Sequence, residues 1–176
     1  MTESMSHCAL CNEDGGTVVL RNELLRVVLV DDDDYPGFTR VIVNAHVREM
    51  TDLTPSLLTR VMSTVYAVED ALRAVLLPHK VNLASLGNQV PHLHWHVIPR
   101  YEDDAHFPQP VWGARQRESD PAAIVARRAL LPRLADKPST VGATRFRVRD
   151  VDPTLAQQLS RLQEEFPQQK LAPCSS

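Results

Sequence analysis

Three histidines that alternate with apolar residues constrain the fold of this chain more than any other feature. Residues 92–98 read HLHWHVI. In a β-strand, side chains two positions apart lie on the same face, about 6.6 Å from each other. The pattern therefore predicts a strand with three imidazoles on one face, while Leu93, Trp95 and Val97 point into a core. A chain of 176 residues with 43 % apolar side chains is long enough to form one domain around such a core.

Three imidazoles on one face have two chemical interpretations. They could bind a metal ion, because neutral imidazole is the commonest metal ligand in proteins. Alternatively, one ring could be a nucleophile, since an imidazole with a pKa near 6.5 is largely neutral at pH 7. The preceding Gly87, Asn88 and Gln89 favour the second interpretation, because glycine lets the backbone approach a ligand and the two amides are uncharged donors suited to phosphate. Asn82, on the neighbouring predicted strand, is a further candidate for this site.

The remaining apolar patterns predict a mixed α and β architecture. Residues 53–77 carry apolar side chains at three-to-four spacing, which predicts a long helix with Pro55 at its first position and Pro78 beyond its end. Short links between the predicted strands favour an antiparallel sheet. The predicted strands cover residues 18–20, 24–30, 38–44, 80–86 and 92–99.

The C-terminal part of the chain has a different character. Residues 101–113 predict an ordered loop, in which Phe107 and Trp112 either close over a ligand or pack into the core. Further predictions are helices over residues 121–134 and 152–166, a strand over residues 144–151, and a frayed tail over residues 170–176.

Charge and cysteine content limit the function further. With 19 basic and 22 acidic residues the net charge is −3, so we expect no nucleic-acid binding. No apolar run approaches the roughly 20 residues of a membrane helix, and residues 1–11 do not resemble a signal peptide, so we expect no membrane association. An odd number of cysteines, three, predicts a reducing, cytoplasmic location. Cys8 and Cys11 have the spacing of zinc ligands, but a closed zinc site needs two more.

The segment at residues 87–100, GNQVPHLHWHVIPR, resembles the signature of the histidine triad (HIT) family, His-φ-His-φ-His-φ-φ with φ apolar. All seven motif positions match, and the likeness covers about residues 8–100. It implies an α+β fold in which a long helix packs on an antiparallel sheet of about five strands, and it implies a homodimer. We predict a HIT domain over residues 1–113 and a C-terminal helical extension of unknown role over residues 114–176.

The resemblance also implies a chemistry that needs no catalytic cofactor. His94, the middle histidine, would attack the α-phosphate of a small-molecule nucleotide, with His92 and His96 flanking the phosphate. Water or another phosphate would then accept the nucleotidyl group. Substrates of this class include dinucleoside polyphosphates and nucleoside phosphoramidates. In the acidic run at residues 31–34, Asp31 is the candidate acceptor for ribose hydroxyls, and Phe38 stands where many members have a histidine.

The resemblance completes the zinc hypothesis as well. Zinc-bearing members take two further ligands from positions that are His46 and His92 here, beside Cys8 and Cys11. Two rival functions remain open from the sequence. One is a metal-dependent hydrolase that uses the three histidines as ligands. The other is a non-catalytic nucleotide-binding protein, which Phe38 and the unexplained C-terminal region keep possible.

Overall fold

The sheet at the centre of the molecule has five antiparallel strands in the order β1-β2-β3-β5-β4. The computed structural model describes residues 7–134 and, for their backbone, two short strands at residues 138–141 and 144–147. The elements in this order are α1 (Ala9–Asn12), β1 (Thr17–Arg21), β2 (Leu25–Leu29), β3 (Thr39–Val43), α2 (Pro55–Leu76), β4 (Lys80–Ala84), β5 (His94–Arg100), α3 (Pro121–Arg128), β6 (Pro138–Val141) and β7 (Thr144–Arg147). The predicted α+β fold, with a long helix on a five-stranded sheet, is confirmed.

One face of the sheet packs against α2 and forms the main core. Val41, Val43 and Val97 meet the apolar stripe of α2, whose buried side chains include Val61, Val65, Val68 and Leu72. The helix begins as predicted, because Pro55 occupies its first turn and Thr54 caps it, its hydroxyl accepting from the Leu57 amide. It ends at Leu76, and Leu77 takes a left-handed conformation before Pro78.

The opposite face of the sheet carries polar side chains under the N-terminal segment. Alternation along β3 and β5 turns Arg40, Ile42, His94 and His96 to this side, away from α2. Ile42 packs here with Cys8, Leu10 and Val28 in a small second cluster. The N-terminal segment therefore covers one end of this face, which positions the candidate site.

The predicted strand at residues 92–99 begins two residues later than expected. β5 starts at His94. His92 lies in the preceding turn, where its backbone amide donates to the Val90 carbonyl at 2.8 Å. The His92 Nε2 lies 2.6 Å from the Val43 carbonyl oxygen at the end of β3, and the Nδ1 lies 3.4 Å from the Cys8 sulfur of the N-terminal segment. His92 therefore precedes β5, and the expectation that all three histidines lie on one strand is wrong for His92.

The C-terminal part follows the prediction only partly. The predicted helix at residues 121–134 is α-helical to Arg128 and continues as a 3-10 turn at Leu131–Leu134, since Pro132 lacks the amide that a longer helix needs. β7 lies within the strand predicted at residues 144–151, whereas its partner β6 was not predicted. The predicted helix at residues 152–166 and the tail lie outside the described residues. Among the described residues no helix is long and apolar enough to cross a membrane.

Candidate active site and metal site

His94 and His96 stand side by side on β5, with ring centroids 4.7 Å apart. The His94 Nδ1 lies 2.6 Å from the carbonyl oxygen of His92. Because a carbonyl can only accept, Nδ1 carries the proton and Nε2 keeps its lone pair. Burial lowers the pKa of His94, and the Arg40 charge lowers it further. The site thus holds a neutral imidazole whose tautomer is fixed and whose Nε2 has no hydrogen-bond partner among the described residues.

His96 is positioned by packing on three sides. Its ring centroid lies 5.5 Å from Phe38, 5.2 Å from Trp112 and 4.7 Å from His94. Its Nδ1 is buried without a hydrogen-bond partner in the described chain. Burial, together with the nearby His94 and Arg40, lowers the pKa of His96 to about 4, so this ring is also neutral at pH 7. Trp112 is 52 % exposed and forms an open aromatic wall beside the ring.

Arg40 brings a positive charge to the same face. It is the direct cross-strand partner of His96 in the β3–β5 pairing. Its guanidinium carbon lies 5.7 Å from the Phe38 ring centroid, and its Nη1 donates to the Gly15 carbonyl at 3.3 Å. Arg40 was not among the site residues predicted from the sequence. A single charged side chain within the apolar strand segment TRVIV was the signal that could have found it.

A buried ion pair holds the loop that carries Trp112. Arg100 donates to both carboxylate oxygens of Asp104, at 2.7 and 2.9 Å, and both side chains are almost fully buried. Arg100 also donates to the carbonyl of Gln109 at 2.8 Å and to Oδ1 of Asn82 at 2.6 Å. The predicted substrate residue Asn82 is therefore oriented by Arg100. Asn82 lies on the same face of the sheet as His94 and His96.

The remaining predicted substrate residues lie in two loops. The side chains of Asn88 and Gln89 are exposed in the turn before β5. Asp31 is exposed at the end of β2, and its carboxylate lies 3.2 Å from Arg128 of α3. The structure thus links the acidic run to the C-terminal extension, and a second contact joins Asp34 to Arg115 at 2.7 Å.

The four predicted zinc ligands do come together. The donor atoms of Cys8, Cys11, His46 and His92 all lie within 4.8 Å of one another. Cys11 Sγ lies 3.2 Å from His46 Nδ1, and Cys8 Sγ lies 3.4 Å from His92 Nδ1. In a tetrahedral site with the usual zinc–sulfur and zinc–nitrogen bond lengths, such ligand atoms are about 3.5 Å apart. The His92 Nε2–H donates to the Val43 carbonyl, which leaves Nδ1 free to bind a metal.

His92 belongs to this cluster of candidate metal ligands, unlike the other two histidines of the motif. Within residues 7–134, these four side chains are the one group of three or more histidine, cysteine or acidic donors that could hold a metal ion. His94 and His96 do not belong to it. The arrangement therefore disfavours the rival interpretation in which the three consecutive histidines share a catalytic metal.

Comparison with known proteins agrees with this geometry. The family model described as HIT domain matches residues 12–103, more than half of the chain. The chain belongs to the histidine triad family. A solved histidine triad protein from Bradyrhizobium japonicum has 30 % identical residues and a TM-score of 0.54, over 66 % of this chain and 91 % of that one.

Two curated relatives of this histidine triad protein are named as nucleotide enzymes. The "AP-4-A phosphorylase" of Mycobacterium tuberculosis is 29 % identical over 110 residues, which are 59 % of this chain and 56 % of that protein. The asymmetrical bis(5'-nucleosyl)-tetraphosphatase of Schizosaccharomyces pombe is 35 % identical over 74 residues, 39 % of this chain and 41 % of that protein. The chain thus spans about half the length, or less, of the curated relatives it matches.

Proposed function

We propose that this protein is a nucleotide hydrolase or nucleotidyl transferase in which His94 attacks an α-phosphate. The observation that carries the proposal is the 2.6 Å contact between the His94 Nδ1 and the His92 carbonyl. That contact directs the lone pair of Nε2 outward, on the face that also carries the neutral imidazole of His96 and the cation of Arg40. Names of the two curated relatives support dinucleoside polyphosphates as the substrate class, with nucleoside phosphoramidates as the alternative.

The proposed reaction has two steps. In the first, a bond forms between His94 Nε2 and the α-phosphorus while the bond to the leaving group breaks. The imidazole becomes positively charged, and its Nδ1–H remains on the His92 carbonyl, which stabilises that charge. In the second step, water or a phosphate attacks the same phosphorus, the N–P bond breaks, and neutral His94 returns. Water gives a nucleoside monophosphate, and inorganic phosphate gives a nucleoside diphosphate.

Neighbouring side chains would position the substrate. His96 would donate a hydrogen bond to a phosphate oxygen, and Asn82, Asn88 and Gln89 would supply uncharged donors. Asp31 remains our proposal for the ribose hydroxyls, although this requires its carboxylate to exchange the Arg128 contact for the sugar. His92 would act on the phosphate only through its backbone carbonyl, since its ring faces the cysteines.

We further propose that the cysteine and histidine cluster binds structural zinc. Two thiolates and two imidazoles are a donor set that zinc prefers, and a closed four-ligand site has no open position for chemistry. Zinc-ligating thiolates also fit a reducing compartment such as the cytoplasm. The homodimer remains a proposal that follows from family membership.

Replacing His94 tests the reaction. We expect His94→Ala to lose at least about a thousandfold in kcat, because no other group can replace a nucleophile. Intact-protein mass spectrometry should show wild-type protein carrying one nucleotidyl group after rapid mixing with substrate, and His94→Ala carrying none. His79→Ala is the matched control, since His79 is half exposed and contacts Glu102 and Phe107 rather than the site. Near wild-type turnover in His94→Ala would refute the covalent mechanism.

A further inference from the structure

Arg40 is a partly buried cation whose hydrogen-bonding capacity is largely unused. A guanidinium carries five N–H donors. In Arg40, Nη1 makes one long contact of 3.3 Å with the Gly15 carbonyl, and Nε is buried with no partner. In the described part of the chain, no carboxylate lies within ion-pair distance of Arg40. Burial lowers the pKa of Arg40, but an arginine stays charged at neutral pH.

Two other arginines of the sheet, one on β2 and one on β5, are engaged much more fully. Arg26 on β2 donates to the carbonyls of Leu10, Glu13 and Asp14. Arg100 on β5 has the Asp104 carboxylate and two further acceptors. Asp32 is the carboxylate whose charge acts on Arg40, but it does not pair with the guanidinium. Buried N–H donors of a cation that lack acceptors are costly, so Arg40 is suited to bind an anion that is not part of the protein.

The position of Arg40 defines where such an anion would lie. Arg40 faces the same side of the sheet as the two histidines and is the cross-strand partner of His96, whereas His94 is paired with Ile42. The charge therefore stands at the His96 end of the pair, beside the nucleophile but displaced from it. In an in-line displacement, the leaving group departs on the side of phosphorus opposite the attacking nitrogen.

We propose that Arg40 binds the phosphates of the leaving group and makes the enzyme selective for nucleoside polyphosphates. This inference rests on the proposed function. A polyphosphate leaving group gains negative charge as the P–O bond breaks, and a guanidinium binds two phosphate oxygens with charge-assisted hydrogen bonds. An ammonia leaving group from a phosphoramidate offers no such oxygens. Arg40 is thus a specificity-determining residue that distinguishes the two candidate substrate classes.

Comparison of two substrates tests the inference. The variants are Arg40→Met, which keeps length without charge, and Arg40→Lys, which keeps charge without the fork. Each is assayed with diadenosine tetraphosphate and with adenosine 5'-phosphoramidate. For Arg40→Met we expect kcat/KM to fall about a hundredfold for the tetraphosphate, in the range typical of removing one charge-stabilising donor, and to change less than about threefold for the phosphoramidate. Arg40→Lys should recover part of the loss.

Controls separate a binding role from a structural one. Arg48→Met removes an exposed arginine outside the site and should leave both substrates unaffected. Thermal unfolding of each variant checks the fold, and if Arg40→Met does not fold, Arg40→Lys alone decides by the same ratio between substrates. An equal loss on both substrates, or a loss on neither, would overturn the inference. Failure of the proposed function itself would look different, because wild-type protein would then form no His94-linked nucleotide with either substrate.

Discussion

At the residue scale, the His92 carbonyl and the rings of His94, His96 and Phe38 define the candidate active site. The His92 carbonyl selects the tautomer of His94, and no charged partner is needed. Phe38, at a position where a histidine is common in the family, packs with Tyr35 and Ile98 and contacts the His96 ring. Phe38 in place of a histidine therefore gives His96 an apolar neighbour instead of a polar one. The pair of His94 and His96 is retained.

Replacement of Trp112 is expected to affect ligand binding much more than protein stability. Its ring edge meets His96, but half of the side chain is exposed. We expect the exposed Trp112 ring to pack against the nucleobase, so Trp112→Ala should raise KM about tenfold and change the free energy of unfolding by about 1 kcal/mol or less. Nucleotide titration by tryptophan fluorescence checks this directly. The signal should persist in Trp95→Phe, which keeps Trp112, and unchanged KM in Trp112→Ala would contradict the assignment.

At the element scale, a single carboxylate organises the loop between β5 and α3. Asp104 accepts from Arg100 and from the backbone amides of Tyr101, His106 and Phe107. We expect Asp104→Asn to destabilise the protein by about 3–5 kcal/mol, because it leaves the Arg100 charge buried and unpaired. Urea unfolding measures this, and Asp103→Asn is the control, since that exposed carboxylate pairs at the surface with Arg127.

The same carboxylate predicts an acid-dependent loss of stability. Burial alone would raise the pKa of Asp104, but hydrogen bonds from Arg100 and from the Tyr101 and His106 amides outweigh it and hold this pKa below its ordinary value. The unfolded chain therefore binds the proton more readily, and the stabilisation is complete above about pH 4 and is lost as the pH falls through the folded pKa. Unfolding free energies measured between pH 3 and 7 should fall less steeply at the acid end in Asp104→Asn. Identical acid slopes in both proteins would contradict this.

At the scale of the whole molecule, the candidate metal site joins the N-terminal segment to the sheet. Cys8 and Cys11 come from the segment around α1, His46 follows β3, and His92 precedes β5. We expect purified protein to hold about one zinc per chain, and Cys8→Ser to lose the metal and unfold at a lower temperature while retaining some turnover. Elemental analysis and thermal unfolding measure both effects, with Cys174→Ser as the control. Absence of zinc after purification without chelator would remove this site.

The histidine motif and the apolar periodicities were sufficient to predict the architecture. Local patterns fix which residues form α2 and the strands, because the helical and strand periods of apolar residues differ and Pro55 and Pro78 bound the helix. The cysteine spacing together with the family resemblance also predicted four metal ligands, and the fold brings their donor atoms within 4.8 Å of one another. These features depend on residues near one another in sequence or on a highly specific motif.

Only the tertiary structure shows which side chains surround His94 and His96 and which join the cysteine and histidine cluster. The Val43 carbonyl, 49 positions away in sequence, orients the His92 ring, whose other nitrogen lies beside Cys8 and Cys11. Arg40 becomes a neighbour of His96 only because β3 pairs with β5 across the long α2 connection. Asn82 meets Arg100 through the pairing of β4 with β5, and Asp31 contacts Arg128 because α3 lies beside the loop after β2. Pairings between distant segments set these contacts, and no local pattern of residues encodes them.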